Sequence, residues 1–375
     1  MIRLIKQTVK RIPQIHRLIQ ERDELKDHLC RLNCEMDGLT RDLRQITRER
    51  DEFLEHLNRL NRENAQQSIH LHRITLERDE LSAHLDRVSR ERDRMDLEMR
   101  RGFGHFPPGH FYSPIPHLEE VRKDEKRIFH DPRTIPGVDL NLDAQFELID
   151  QLKDYYPEMP FPSEKEEGRR FFHNNPAFGG ADAVYLYGMI RHLEPRRIIE
   201  VGSGYSSCVM LDTNDLFFDG LIACTFIEPN PQLLLSLLTN EDQHKIDFIP
   251  KRVQDVSLDK FSALQARDIL FIDSSHVSKV GSDVNFIFFH ILPALQSGVY
   301  IHFHDILFPF EYPTEWVYEG RAWNEVYLLR AFLQYNPAFK IVLFNAVVAN
   351  LFSDKLRQEM PRCLQRTGGI WIVKC

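Results

Sequence analysis

The chain has 375 residues, of which 42% are hydrophobic and 28% charged, enough for one substantial core and a second, extended segment. Its net charge of −8 at pH 7 argues against nucleic acid as a partner, because surfaces that track phosphates carry a basic excess. The six cysteines form no CxxC pair, no apolar run reaches the ~20 residues that span a bilayer, and no signal peptide opens the chain, so we expect a cytoplasmic protein.

Residues 1–20 combine apolar side chains with arginines and lysines. A basic amphipathic segment of this kind is typical of peptides that lie on an anionic membrane surface. The same residues also suit the start of the helix that follows, although Pro13 interrupts them. Two interpretations therefore stay open, peripheral contact with the inner membrane and the beginning of a coil.

A repeat dominates residues 21–101, where ERDELKDHLCRL begins at Glu21, ERDEFLEHLNRL at Glu49 and ERDELSAHLDRV at Glu77. The three copies start four heptads apart, so apolar residues keep one a/d seam throughout and predict a long coiled coil. Four arginines recur at a positions, namely Arg22, Arg50, Arg78 and Arg92. Polar layers fix register, and they favour a parallel homo-oligomer whose strand number, two or three, the pattern leaves open.

Glycine and proline mark residues 102–140 as a linker, because both residues interrupt helices. Residues 141–375 then form the predicted globular domain. It opens with an amphipathic helix and a second helix that ends before Pro195.

Short apolar, β-branched runs follow in the globular domain, each about 20 to 30 residues after the last. They are 196–202, 224–229, 245–250, 266–275 and 298–306. Strands that alternate with helical segments in this way predict an α/β fold with a parallel sheet. Two later runs, 339–352 and 368–375, predict a terminal antiparallel pair and hence seven strands.

Ligands of open α/β sheets bind at the carboxyl ends of the strands, and the first strand is followed there by a glycine-rich stretch. The stretch reads Glu200, Val201, Gly202, Ser203, Gly204, Tyr205, Ser206 and Ser207. Two glycines allow a tight turn close to a ligand, but Ser207 replaces the third glycine of a dinucleotide fingerprint. Glu228 ends the second strand, where a carboxylate can bind a ribose, and Asp255 follows the third near a possible adenine edge.

Side chains suited to chemistry end the fourth and fifth strands, as Asp273-Ser274-Ser275-His276 and as His302-Phe303-His304-Asp305. Oxygen ligands at adjacent strand ends suit a hard cation such as Mg²⁺.

The motifs EVGSGYSS, FIEPNP, VQDV and ILFIDSSH, in this order and spacing, resemble those of class I S-adenosylmethionine (SAM)-dependent methyltransferases. Within that family they are similar to the metal-dependent branch that includes catechol, sugar and macrolide O-methyltransferases. The resemblance covers roughly residues 171–375 and implies a Rossmann-like sheet of seven strands with a terminal antiparallel pair. It implies that SAM is lined by Glu200, Gly202, Ser203, Gly204, Ser206 and Asp273, while Glu228 binds the ribose and Asp255 lies near the adenine.

The same resemblance implies metal ligands at Asp273, His304 and Asp305, and it puts His276 where the branch has its general base. Because His304 replaces the usual oxygen ligand, the site also admits Mn²⁺ or another transition metal in place of Mg²⁺. We therefore expect metal-assisted O-methylation of a hydroxyl on a sugar, a surface glycan or a specialised metabolite. Two alternatives stay open, an N-methyltransferase and an inactive methyltransferase-like scaffold that its coiled coil oligomerises.

Overall fold

The computed structural model describes residues 36, 64–102, 106–132, 134–239, 241–365 and 367–375. They belong to two compact units, one formed by Pro13–Pro114 and one that contains Ile115–Cys375. The predicted basic segment and the coiled-coil repeats at Glu21 and Glu49 lie outside the described residues.

The first unit contains one unbroken helix of 39 residues, Asn64–Gly102 (α1), which covers the second half of the predicted coil. Leu85, at an a position of the heptad pattern, is 43% exposed in the single chain. Arg78 and Arg92, also at a positions, each pair with the aspartate that follows them. The helix itself is confirmed, whereas its association with other copies stays a prediction. No helix in the described part of the chain combines the length and the apolar character that a membrane span needs.

The second unit is an α/β domain. Its helices are Leu118–Lys123 (α2), Glu125–Ile128 (α3), Leu142–Leu152 (α4), Gly180–Leu193 (α5), Tyr205–Phe217 (α6), Gln232–Leu237 (α7), Asp242–Lys245 (α8), Leu258–Ser262 (α9), Asp283–Phe286 (α10), Leu292–Ala294 (α11), Thr314–Tyr318 (α12), Glu325–Leu333 (α13), Asn345–Leu351 (α14) and Ser353–Glu359 (α15). Its strands are Arg197–Val201 (β1), Ala223–Ile227 (β2), Asp247–Ile249 (β3), Ile269–Ile272 (β4), Tyr300–His304 (β5), Phe339–Phe344 (β6) and Gly369–Lys374 (β7).

The described strands form one seven-stranded sheet in the order β3-β2-β1-β4-β5-β7-β6. The first five strands are parallel, and β7 is antiparallel to both β5 and β6. This arrangement confirms the predicted parallel sheet with a terminal antiparallel pair. The four residues of β4 are all buried, as expected for a central strand that helices cover on both faces.

The predicted strand at 339–352 is too long, because β6 ends at Phe344 and α14 begins at Asn345. Asn345 is fully buried, and its side-chain amide donates to Asp182 Oδ1 at 3.0 Å. A continuous apolar run does not distinguish a buried strand from a buried helix. The sequence pattern therefore located the strand correctly but not its end.

Arg170, in the loop that precedes α5, forms hydrogen bonds with residues of α6 and α8. Its guanidinium donates to Asp212 Oδ1 at 2.8 Å, to Asp215 Oδ2 at 2.7 Å and to both oxygens of Asp242. The backbone N–H of Phe171 donates to Asp212 Oδ2 at 2.9 Å. Burial would raise the pKa of Asp242, but the hydrogen bonds from Arg170 and Thr239 outweigh it and lower that pKa to about 2.

We expect Asp242→Asn to reduce the free energy of unfolding at pH 6 by about 1–3 kcal/mol, because it weakens charge-assisted hydrogen bonds to the partly buried Arg170. The folded-state pKa of Asp242 lies below its ordinary value of 3.8, so its contribution is present above pH ~4 and is lost as the pH falls to ~2. The difference in stability between wild type and variant should therefore shrink over that interval in urea denaturation. Glu241→Gln, which changes an exposed neighbour, should leave the profile unchanged. A difference in unfolding free energy between wild type and Asp242→Asn that stays constant between pH 4 and pH 2 contradicts the lowered pKa of Asp242.

Candidate active site

The carboxyl ends of β1, β4 and β5 lie side by side at one edge of the sheet. Val201 pairs with Ile272, and Ile272 pairs with Phe303. Asp273, which follows β4, donates its backbone N–H to Val201 O at 2.9 Å. The residues that leave each of these strands therefore emerge next to one another, and the predicted site residues occupy that edge.

The glycine-rich turn after β1 is fixed by a buried carboxylate. Glu200 is fully buried and accepts hydrogen bonds from the hydroxyls of Ser206, at 2.5 Å, and Ser207. Ser207 Oγ also accepts from the backbone N–H of Gly204 at 3.0 Å. Gly202 has a φ of +84°, which favours glycine. The turn is rigid and close to the sheet edge, with Ser203 buried beside it.

Glu200 and Ser206 are thus hydrogen-bonded to each other, and the cofactor contact predicted for both residues stays a prediction.

Glu228, directly after β2, is 7% exposed and accepts a hydrogen bond from the backbone N–H of Asn230 at 2.6 Å. Asp255 ends a short 3-10 helix and forms two hydrogen bonds with Arg252, at 2.8 and 3.0 Å. These bonds lower the pKa of Asp255, whose side chain is 46% exposed. Its predicted position near an adenine is likewise untested.

Three ionisable side chains converge where β4 and β5 end. His276 Nε2 lies 3.3 Å from Asp273 Oδ1 and 3.8 Å from Asp305 Oδ2. Among the described residues, one ligand atom from each of Asp273, His276 and Asp305 lies within 4.8 Å of the others. The structure thus joins the predicted catalytic residue to two of the three predicted metal ligands.

His304, the third predicted ligand, stands apart from that group. Its Nε2 is 3.7 Å from Asp305 Oδ1, while its ring packs against Phe178 and Phe271. Side chains alternate along a strand, so His302 lies on the same face as His304, stacked on Phe271 at 4.3 Å. Burial lowers the pKa of His302 well below its ordinary value. The predicted role of His304 as a ligand remains a prediction.

Glu325, at the start of α13, is the site residue that the sequence analysis missed. Its Oε2 lies 2.7 Å from His276 Nδ1, and its Oε1 accepts from Ser274 Oγ at 3.1 Å. The backbone N–H groups of Asn324 and Glu325 both donate to His276 O. Trp323 packs against the imidazole, with ring centroids 4.7 Å apart and the ring planes tilted by 32°. Glu325 is 49 residues from His276 in the chain, so no local spacing could have indicated the contact.

The imidazole of His276 is fully buried among carboxylates. Burial alone would lower the pKa of His276, but Asp273, Glu325 and Asp305 outweigh it and raise that pKa to about 10. The site attracts positive charge strongly, in keeping with three carboxylates around one imidazole.

Backbone strain coincides with this cluster. His276 has a φ of +58° and Asp305 a φ of +56°, in the left-handed region that residues with a Cβ seldom adopt. Such conformations cost on the order of 1–3 kcal/mol each and persist where the surrounding structure imposes them. Their occurrence at two converging side chains favours a functional site.

Comparisons with known proteins agree with this location. A family model described as a methyltransferase domain matches residues 199–306, which run from β1 to just beyond β5. An uncharacterized protein from Archaeoglobus fulgidus is 36% identical over 166 residues, which cover 43% of this chain and 74% of that protein.

Solved structures with similar chain traces include a methyltransferase of Podospora anserina with bound S-adenosylhomocysteine (SAH). It is 14% identical, with 70% of this chain and 98% of that one covered and a TM-score of 0.35. The O-methyltransferase TomG from Streptomyces achromogenes, involved in tomaymycin synthesis and complexed with SAM, is 13% identical, with coverage of 69% and 96% and a TM-score of 0.34.

We expect Ser207→Ala to reduce the free energy of unfolding by about 1–3 kcal/mol, because it leaves Gly204 N–H and one Glu200 oxygen without their hydroxyl partner. Urea denaturation followed by tryptophan fluorescence checks this, since Trp316, Trp323 and Trp371 all lie in the second unit. Ser236→Ala, at an exposed hydroxyl, is the matched control and should change stability by less than about 0.5 kcal/mol. Equal effects of the two substitutions would refute the proposed importance of the Glu200 contact.

Proposed function

We propose that this chain, whose residues 199–306 match a methyltransferase family model, is a class I SAM-dependent methyltransferase that transfers the methyl group of SAM to a hydroxyl oxygen of its acceptor. In this reaction the methyl–sulfur bond breaks as the methyl–oxygen bond forms, SAM becomes SAH, and the hydroxyl loses its proton. The site must therefore hold SAM, place an oxygen in line with the methyl group and accommodate a departing proton.

The convergence of Asp273, His276 and Asp305 beside the glycine-rich turn is the observation that carries the proposal. Asp273 follows β4 and hydrogen-bonds to the last residue of β1, so the acidic cluster adjoins the turn at Gly202. A cofactor in that turn would have its reactive end near the carboxylates and the imidazole. His276 is central to the proposed chemistry because its Nε2 approaches both carboxylates.

Cofactor binding would depend mainly on the turn and on Glu228. The buried carboxylate of Glu228 is held at the end of β2 by Asn230 N–H, in a position suited to a ribose diol. Glu200 would act by fixing the turn through Ser206 and Ser207. Asp255 would approach the adenine edge.

A divalent cation fits the same edge, because Asp273 and Asp305 supply hard oxygen donors within one cluster. Such a cation, when bound, would lower the pKa of the acceptor hydroxyl and orient it. The two carboxylates would hold it, and the packed ring of His304 would shape the wall beside Asp305.

The proposed acceptor is a sugar hydroxyl on a surface glycan or on a specialised metabolite. A buried aromatic group of Tyr312, Trp316 and Trp323 stands next to His276 and supports a rigid acceptor site. An imidazole surrounded by carboxylates suits a neutral, hydroxyl-rich acceptor better than an anionic one, because negative charge would be repelled.

We expect the full-length protein to bind SAH with micromolar affinity in isothermal titration, and Glu228→Ala to weaken binding at least tenfold because the ribose would lose a charged partner. Glu241→Gln, at an exposed carboxylate, should bind like the wild type.

Incubation with methyl-labelled SAM and a panel of sugars, with NMR of the product, tests the reaction itself. A methyl group on oxygen is the expected result. A product methylated on nitrogen would contradict O-methylation and favour an N-methyltransferase. If the folded wild type does not bind SAH, the chain is better explained as an inactive scaffold.

We further propose that α1 and the residues before it form a parallel coiled coil that joins two or three copies of the chain. Leu85 and Leu97 support a test, since both are exposed leucines of one helix, 43% and 50% respectively. Leu85 occupies an a position of the heptads, whereas Leu97 occupies an f position on the opposite face.

Leu85→Lys should weaken self-association at least tenfold in analytical ultracentrifugation, because a lysine at an a position places charge in the seam. Leu97→Lys adds the same charge outside the seam and should leave the mass unchanged. A wild type that sediments as a monomer, or equal behaviour of the two variants, argues against the coil.

A further inference from the structure

His276 presents its two ring nitrogens to different partners. Nδ1 lies 2.7 Å from Glu325 Oε2, and Nε2 faces Asp273 and Asp305. When Nδ1–H donates to Glu325, a neutral ring carries its lone pair on Nε2. That lone pair then points at two carboxylates in a buried position, which is repulsive unless a positive charge, either a proton on Nε2 or a metal ion, lies between the three side chains.

The spacing of the three atoms suits a coordinated ion. Adjacent donors of an octahedral ion with bonds of ~2.1 Å are separated by ~3.0 Å. Nε2 is 3.3 Å from the nearer carboxylate oxygen and 3.8 Å from the farther one. The 3.3 Å approach does not have the geometry of a hydrogen bond. A small closure would bring all three donors to bonding distance of one cation.

The surroundings of His276 are those of a metal-binding histidine. Such residues commonly donate their other ring N–H to a carboxylate, which fixes the orientation and the tautomer of the ring. Glu325 occupies that position and accepts a hydrogen bond from Ser274, while Trp323 packs against the imidazole. The ring is fully buried.

We propose that His276 is itself a ligand of the cation that Asp273 and Asp305 hold, and that Glu325 is its outer-sphere positioning residue. The inference rests on the proposed function only for the use of the site, because cation binding can be measured without methyl transfer. One imidazole among carboxylate donors favours Mn²⁺ or a later transition metal over Mg²⁺. With its lone pair on the cation, His276 would not serve as the general base that the family resemblance implies.

The test uses full-length, metal-stripped protein titrated with Mn²⁺ and observed by electron paramagnetic resonance. Wild type should bind one Mn²⁺ per chain, and pulsed spectra should show coupling to an imidazole nitrogen. His276→Gln should abolish the coupling and weaken Mn²⁺ binding at least tenfold. Glu325→Gln should keep the coupling but weaken binding roughly 10-fold, in the range for outer-sphere partners.

His290→Ala, at an exposed histidine, is the matched control and should behave as wild type. Mn²⁺ bound without nitrogen coupling overturns the proposal and leaves the carboxylates as the ligands. Coupling that survives in His276→Gln but disappears in His304→Ala also overturns it, in favour of His304. No binding at millimolar Mn²⁺ overturns it as well.

Thermal unfolding and SAH titration of each variant check folding and the cofactor site separately. A nitrogen-coupled Mn²⁺ site in a protein that transfers no methyl group would contradict the proposed function and leave this inference intact. Methyl transfer by a protein that has no Mn²⁺ site would support the proposed function and overturn this inference.

Discussion

Parallel pairing of the central strands is the constraint on which the candidate site depends. Because β1, β4 and β5 run in the same direction and in register, the residues that follow Val201, Ile272 and His304 leave the sheet at one edge. Side chains alternate between the two faces of a strand. A shift of one residue in the pairing register would therefore move the side chains that line the site to the opposite face of the sheet. The buried hydrogen bond from Asp273 N–H to Val201 O continues that pairing into the site.

Buried polar groups in this domain are tolerated because they form connected sets. Asp182, near the start of α5, accepts hydrogen bonds from Asn345, Thr367 and Gly368, and so connects a helix to the ends of β6 and β7. Arg170 likewise connects the loop before α5 to α6 and α8 through its hydrogen bonds with aspartates. An isolated buried charge would cost several kcal/mol, whereas a paired and hydrogen-bonded one retains its position.

The cluster at His276 differs from these structural sets. Two of its residues have left-handed backbone conformations, whereas the residues of the Asp182 and Arg170 sets have none. Local strain at converging ionisable side chains favours a functional site over a purely structural one.

Several features follow from the sequence because their causes are local. Apolar β-branched runs identified the strands. The turn after β1 has a φ of +84° at Gly202, and that backbone conformation favours glycine. Asp273, His276 and Asp305 were identified because ligand sites of parallel sheets lie at strand ends. The terminal antiparallel pair was indicated by two apolar runs joined by a short connection, and the structure confirms it.

Other features were decided only when distant segments packed together. Glu325 meets His276 because α13 returns to the edge of the sheet, and a spacing of 49 residues carries no periodic signal of that contact. His304 packs against Phe178, which lies 126 positions earlier in the chain, and alternation along β5 alone does not indicate that contact. β6 gives way to α14 at the buried Asn345, whose amide donates to Asp182, a residue far away in the chain. Sequence patterns indicate which residues are apolar and where strands lie, whereas the partners of a buried polar side chain are fixed by tertiary packing, because only packing brings them within hydrogen-bonding distance.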